Sequence, residues 1–151
     1  MRRVGVGFTI IELLMVIVIA GIMMAVAIPF FRKSSQSASA RGAGDEIARL
    51  YATTRAVSIQ RGKLAWLVLS PSSSTAMVIA GKVSGTGVDT IVQPDDLNKR
   101  YGVTFTTTAD SLAFTPRGIG ANLATTTVIV TSGGGTAADT VLIYPTGMVK
   151  R

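Results

Sequence analysis

The chain has 151 residues, which suits one domain with an anchor, and 15 Lys and Arg against eight Asp and Glu leave a net charge of +7. It contains no cysteine and no histidine, which excludes disulfides, thiolate catalysis, cysteine-based zinc sites and the usual general base near neutral pH. The composition therefore predicts a protein that is not an enzyme and has no cofactor and no metal site. The positive charge fits either a solvated surface or an anionic partner.

A long apolar segment follows two arginines near the start of the chain. Residues 13–31 are 19 residues without a charge, and as a helix they span roughly 28 Å, close to the thickness of a bilayer core. A transmembrane helix over residues 8–31 is the first interpretation. A buried core helix is disfavoured because the run is long and has no polar face. An uncut single-pass anchor and a secretory signal cut after Ala40 remain as alternatives.

Glu12 distinguishes these interpretations. A carboxylate at the centre of a membrane costs about 2.5–3.5 kcal/mol, and less near the interface, so such a residue usually has a partner. Around it the chain reads Met-Arg-Arg-Val-Gly-Val-Gly, then Phe8-Thr9-Ile10-Ile11-Glu12. A short basic leader ending in Gly, followed by Phe-Thr, two residues, Glu and about 20 apolar residues, resembles the type IV pilin and pseudopilin family.

The resemblance implies a defined processing route. Residues 1–7 would be a leader that prepilin peptidase removes by cutting between Gly7 and Phe8, and the same enzyme would N-methylate Phe8. In the family, the glutamate that matches Glu12 pairs with the cationic N-terminal amine of a neighbouring subunit. The implied location is the inner membrane, as a single-pass protein with its head in the periplasm, and then the filament. The implied partners are other pilin or pseudopilin subunits, prepilin peptidase and the inner membrane.

Two residues inside the apolar segment favour a bend in the helix. Pro29 lacks an N–H and its ring clashes with the carbonyl of Ala25, and Gly21 also lies in this stretch. We therefore assign Gly21 and Pro29 to a helix kink. The polar, small residues 32–44 fit a linker or a solvated helical extension. Gly42 and Gly44 there each weaken a helix by about 1 kcal/mol relative to alanine, which predicts a bend or fraying.

Helical periodicity returns in residues 45–61, so residues 32–62 are expected to extend the helix into the head. The predicted buried stripe consists of Ile47, Leu50, Tyr51, Thr54, Val57 and Ser58. Arg49, Thr53 and Gln60 lie on the opposite side. Gly62 is expected to end this helix. The stripe predicts packing against a sheet.

The rest of the chain, residues 63–151, has short runs rich in Thr, Val and Ile between turns, which predicts antiparallel strands. The predicted strands are residues 64–69, 75–80, 103–108, 111–115, 125–131, 140–144 and 148–149. Ala109-Asp110 and residues 132–136 are predicted hairpin loops, and residues 144–147 a type I turn. Asp95-Asp96 fits a helix start or loop cap better than a calcium site. The expected fold class is α+β, a long N-terminal helix packed on an antiparallel β head.

This order of elements, with turns at residues 114–120 and 144–151, resembles the H-type pseudopilins and the FimT-type minor pilins. The resemblance implies a minor subunit that assembles into, and helps initiate, a type II secretion pseudopilus or a type IV pilus. The alternative is a minor pilin that binds DNA during natural transformation, since cations neutralise phosphates and a tyrosine stacks on a base. Candidate DNA contacts are Lys99, Arg100, Tyr101, Arg117, Lys150 and Arg151.

Overall fold

The computed structural model describes residues 8–121 and 124–150. The chain forms two compact units, Met1–Ser35 and Gln36–Arg151, and helix α1, Ile10–Arg61, supplies residues to both. We refer to the second unit as the head. The predicted α+β class is confirmed, because the head packs one helix against antiparallel sheets.

The first unit consists of the apolar part of α1. The large apolar side chains between Phe8 and Phe31 are all at least 51% exposed, so nothing in this unit covers them. Within the described residues, α1 is the helix that is long and apolar enough to cross a membrane. The helix continues through Gly21 and Pro29, and the kink that we assigned to these residues stays a prediction.

In the head, α1 continues through Gly42 and Gly44 without interruption, so the expected fraying there was wrong. The glycines serve packing instead. Gly44 is buried, and a Cβ on Gly42 would lie 3.1 Å from the Tyr101 ring. Tertiary contact thus offsets the low helix propensity of glycine, which is a weak preference that packing overrides. All six residues of the predicted stripe, from Ile47 to Ser58, are buried, which confirms that face of the helix.

Eight strands form two antiparallel four-stranded sheets. Sheet A has the order β3-β2-β1-β5, and sheet B has the order β4-β6-β7-β8. The strands are β1 Ala65–Ser70, β2 Thr75–Gly81, β3 Val88–Asp96, β4 Val103–Thr107, β5 Ser111–Phe114, β6 Thr126–Ser132, β7 Ala138–Ile143 and β8 Val149–Lys150, with a short helix α2, Leu97–Tyr101, between β3 and β4. Seven strands were predicted from the sequence, whereas β3 and α2 as a helix of its own were not.

The core lies between α1 and the inner faces of both sheets. Buried residues alternate with half-buried or exposed ones along β1, β2 and β6, which shows that each sheet turns one face inward. Phe114 is fully buried at the end of β5, and its ring lies 4.8 Å from that of Tyr51 on α1. The Tyr51 hydroxyl donates a hydrogen bond to the Tyr144 carbonyl at 3.0 Å. These contacts join the helix to both sheets.

The three predicted connections have different outcomes. Residues 132–136 form the hairpin loop between β6 and β7, where the Gly135 N–H donates to the Ser132 carbonyl at 2.7 Å. Ala109-Asp110 is not a hairpin loop, because β4 belongs to sheet B and β5 to sheet A. The chain crosses from one sheet to the other there. The expectation that β4 and β5 pair with each other was therefore wrong. The turn at residues 144–147 is present, with the Gly147 N–H donating to the Tyr144 carbonyl at 3.0 Å.

Candidate functional site

The predicted assembly segment is the start of α1. Phe8 is 81% exposed and Glu12 is exposed one turn further along. The backbone N–H of Glu12 donates to the Thr9 hydroxyl at 3.3 Å, and the Leu13 N–H donates to the Thr9 carbonyl at 3.2 Å. Thr9 is therefore the N-cap, and Thr-x-x-Glu is the pattern of a capping box. Gly7 lies outside the described residues.

This capping geometry gives Glu12 a local role that our sequence analysis did not assign. A carboxylate in the first turn of a helix interacts favourably with the N-terminal end of the helix dipole, by about 0.3–1 kcal/mol at an exposed position. That gain is smaller than the roughly 2.5–3.5 kcal/mol that a carboxylate costs in the membrane interior. The local role would therefore offset only part of that cost if the helix lies in a membrane.

The structure separates the described candidate DNA contacts into three groups, which lie in α2, in β8 and, for Arg117, in the turn after β5. Lys99, Arg100 and Tyr101 belong to α2, which precedes the Val103 end of β4. Lys150 lies in β8 and pairs with Leu142 of β7. Strand β8 is at the edge of sheet B opposite to β4. Strand β6 lies between these two parts of sheet B, where Val103 pairs with Ser132 and Leu142 with Thr127. Ser132 and Thr127 are five residues apart along β6, or roughly 17 Å. Arg151 lies outside the described residues.

Arg100 in the first group is engaged within the head. Its Nη1 lies 3.0 Å from Asp95 Oδ2 and 3.9 Å from Glu46 Oε1, and its Cζ lies 5.2 Å from the centre of the Tyr101 ring. Asp96 caps α2, since its Oδ1 accepts from the Lys99 backbone N–H at 2.9 Å, which confirms the predicted helix start. The α2 group thus forms part of a network that holds α2 against α1, and Lys99 stays exposed.

Glu46 is the buried carboxylate of that network, with its side chain 8% exposed. It accepts hydrogen bonds from Arg49, one of them from Nε at 2.8 Å. The hydrogen bonds from Arg49, together with the charges of Arg49 and Arg100, lower the pKa of Glu46 from its usual range, against the effect of burial, which raises it. The charged form of Glu46 is therefore favoured in the folded head.

Replacing this carboxylate is expected to weaken the head in a way that depends on pH. Glu46→Gln should lower the free energy of unfolding at pH 7 by about 1–3 kcal/mol, because Arg49 loses its charged partner and Arg100 keeps only Asp95. A lowered pKa contributes stability above the ordinary pKa of glutamate, and the contribution is lost as pH falls through the folded value. The difference between the two proteins should therefore shrink below about pH 4.

Urea unfolding followed by the fluorescence of Trp66, the single tryptophan, measures this difference. Asp110→Asn, at an exposed loop position, is the matched control and should change stability little at either pH. A pH-independent effect of Glu46→Gln would contradict the assignment of charge to this site.

Arg55 is a basic residue that our sequence analysis missed. It lies on α1 beside two turns that are distant in sequence. A Cβ on Gly118 would lie 3.4 Å from Arg55 Nε, and a Cβ on Gly147 would lie 3.0 Å from Arg55 Nη1. Arg117, a predicted DNA contact, precedes Gly118 and is exposed. The helical pattern placed Arg55 outside the buried stripe, but no local signal links it to turns 60 and 90 residues later.

Comparison with known proteins gives a fold. A scan of protein-family models and a search of curated proteins found no match to this chain. Among solved structures, the type IV minor pilin FimU of Pseudomonas aeruginosa strain PAO1 is similar in two crystal forms. One has a TM-score of 0.58 and 14% identity, covering 74% of this chain and 86% of that chain. The other has a TM-score of 0.56 and 14% identity, with 73% and 90% covered. The chain therefore has the pilin fold that these structures show.

Proposed function

We propose that the chain is a minor pilin or pseudopilin that assembles into a type II secretion pseudopilus or a type IV pilus and helps to initiate it. The observation that carries the proposal is the start of α1, where Glu12 lies in the first turn of an apolar helix with uncovered side chains. The likeness of the fold to a type IV minor pilin supports it.

In this proposal, prepilin peptidase cuts between Gly7 and Phe8 and N-methylates Phe8. The new N-terminal amine is cationic and lies next to the cap residue Thr9, four residues before Glu12. Before assembly, residues 8–31 anchor the chain in the inner membrane, with the head in the periplasm. The exposed apolar surface of this segment then has two environments of similar polarity, lipid and the neighbouring subunits of a filament.

The ion pair between subunits sets the direction of assembly. In lipid, the Glu12 carboxylate lacks a cation, whereas in a filament it meets the amine of a neighbouring Phe8. Opposite charges attract strongly in a medium of low dielectric constant when they are in contact. Since breaking such a pair leaves an unpaired buried charge, at a cost of about 3–5 kcal/mol, only a register that brings the two groups together is stable.

N-terminal sequencing of the mature protein tests the processing step. Coexpression with prepilin peptidase should give a chain that begins at N-methylated Phe8, and Gly7→Ala should reduce the cut because it changes the residue that directly precedes the cleaved bond. A mature chain that begins at Met1 would indicate an uncut anchor. One that begins at Arg41 would indicate a secreted domain, and either result would reject the proposal.

DNA binding is the weaker alternative. The candidate contacts do not form one surface, and Arg100 is already paired with Asp95. Lys99, Arg117 and Lys150 remain as exposed cations. A shift assay over a range of salt concentrations, with Lys99→Glu, Arg117→Glu and Lys150→Glu, tests them. Phosphate contacts weaken steeply with salt, so an affinity that does not change with salt would exclude this alternative.

A further inference from the structure

A surface beside the two turns is built from cationic and apolar side chains together. We call it the Arg55 surface, and it consists of Arg55, Ile59, Arg117, Ile119 and Met148. The turn at Thr115–Gly118 packs directly on α1, since a Cβ on Gly118 would lie 2.6 Å from Ile59 Cδ1. The turn at Tyr144–Gly147 packs on Arg55 from the other sheet. Three separate parts of the chain thus meet at one place.

The apolar members of this surface face solvent. Ile59 is 53%, Ile119 is 60% and Met148 is 65% exposed, and both arginines are exposed as well. Large aliphatic side chains that cluster on a surface mark an interaction site more often than single ones do. Methionine and arginine are also among the residues enriched at protein–protein interfaces.

The charges of the head show what kind of protein fits this surface. Within the described residues, no ion pair joins Arg55 or Arg117 to a carboxylate. The head acids are mostly committed elsewhere: Glu46, Asp89 and Asp95 pair with arginines of the head, Asp96 caps α2, and Asp45 and Asp139 have interactions of their own. Asp110 alone is left among the described carboxylates of the head. A second copy of this chain therefore offers too little negative charge to match the surface.

The neighbouring side chains also disfavour nucleic acid. Single-stranded nucleic acid is held by cations together with aromatic rings on which bases stack. The exposed side chains beside Arg55 and Arg117 are isoleucine and methionine, which offer no stacking plane. Aliphatic contact combined with positive charge instead fits a protein surface that is both apolar and acidic.

We propose that the Arg55 surface binds an acidic, apolar surface of a different subunit of the same filament. This inference rests on the proposed function, because it seeks the partner among filament subunits. It adds the place of contact on the head and the chemistry of the partner, and it predicts that the contact joins unlike chains.

The test uses the full-length chain in detergent, with each other pilin subunit of its own filament system as the probe, one at a time. Binding to one of them should be measurable and should weaken with salt. Arg55→Glu/Arg117→Glu should reduce that affinity by about tenfold or more, because charge reversal places like charges across the contact. The matched control, Lys63→Glu/Lys82→Glu, makes the same change in net charge at two exposed lysines outside this surface and should stay within about twofold.

A third variant completes the experiment, together with measurements of self-association and of binding to a DNA probe. Ile119→Ser should reduce affinity at low and high salt alike, since it removes apolar contact rather than charge, and Trp66 fluorescence verifies that each variant is folded. Equal affinity of the Arg55→Glu/Arg117→Glu variant and the wild type would overturn the inference. So would binding to none of the subunits, loss of self-association in this variant, or loss of binding to a 30-nucleotide DNA probe with subunit binding unchanged.

Failure of this inference differs from failure of the proposed function. If the chain is processed at Phe8 and enters the filament fraction, but the double arginine variant binds as the wild type does, the surface is wrong and the function stands. If the wild-type chain is neither processed nor found with the filament, the proposed function is wrong.

Discussion

Glu12→Gln is expected to reduce incorporation of the chain into filaments by about a hundredfold or more, with cleavage before Phe8 unchanged. The substitution removes the negative charge and keeps the shape of the side chain. Loss of one partner of a buried ion pair costs about 3–5 kcal/mol, and 1.4 kcal/mol corresponds to a factor of ten. The measurement is the ratio of the chain in the sheared filament fraction to that in the membrane fraction.

The cap at Thr9 supplies the control that separates charge from helix start. Glutamine also satisfies the capping-box pattern at its fourth position, so Glu12→Gln leaves the local helix start intact. Thr9→Val has the opposite effect, because it removes the hydroxyl that accepts from the Glu12 N–H and keeps the carboxylate. Loss of an N-cap costs about 1 kcal/mol, so incorporation should fall by only a few-fold. A larger loss for Thr9→Val than for Glu12→Gln would show that the cap, not the ion pair, is what assembly requires.

Phe114→Ala is expected to destabilise the head by about 3–5 kcal/mol. Phe114 is fully buried, lies at the end of β5 opposite Ala65 and contacts the Tyr51 ring at a centroid distance of 4.8 Å. The variant leaves a cavity where α1, β1 and β5 meet. For a domain of this size the midpoint of thermal unfolding should fall by roughly 10–20 °C.

Trp66 reports this transition because it lies on β1 and pairs with Ala113, the residue before Phe114. The control is Ile129→Ala, which removes a large apolar side chain that is 41% exposed and should cost about 1 kcal/mol or less. Similar losses for the two variants would mean that Phe114 is not part of a closely packed core. Both proteins should be compared in the same detergent, since the apolar part of α1 requires it.

Much of the head was predictable where a local pattern repeats. The buried stripe of α1 follows the helical period, and β1, β2 and β6 follow the alternation of a half-buried sheet. β3 was not predicted because it carries Pro94 and three aspartates and has no regular alternation. Its place at the edge of sheet A explains that composition, since an edge strand tolerates proline and charge.

The sequence named candidate residues both near the N-terminus and in the head, but how the basic residues of the head are grouped came only from the structure. The glutamate in the apolar segment is visible without a structure because lipid penalises charge wherever the residue lies along the helix. The basic residues of the head give no such signal. Arg100 and Arg117 cannot be told apart by their sequence context, yet Arg100 is paired with Asp95, whereas Arg117 precedes Gly118, which packs against Ile59 and Arg55.

The sequence by itself determined the apolar helix with Glu12 in its first turn, the buried face of the helix in the head and the antiparallel α+β class. These features depend on spacing within about ten residues and on the polarity of each side chain, which are local properties. The tertiary structure alone decided that β4 and β5 belong to different sheets, that α1 runs unbroken through Gly42 and Gly44, and that Arg55 meets turns far along the chain. Each of these depends on a contact between residues distant in sequence, whose free energy exceeds the weak local preferences that a sequence displays.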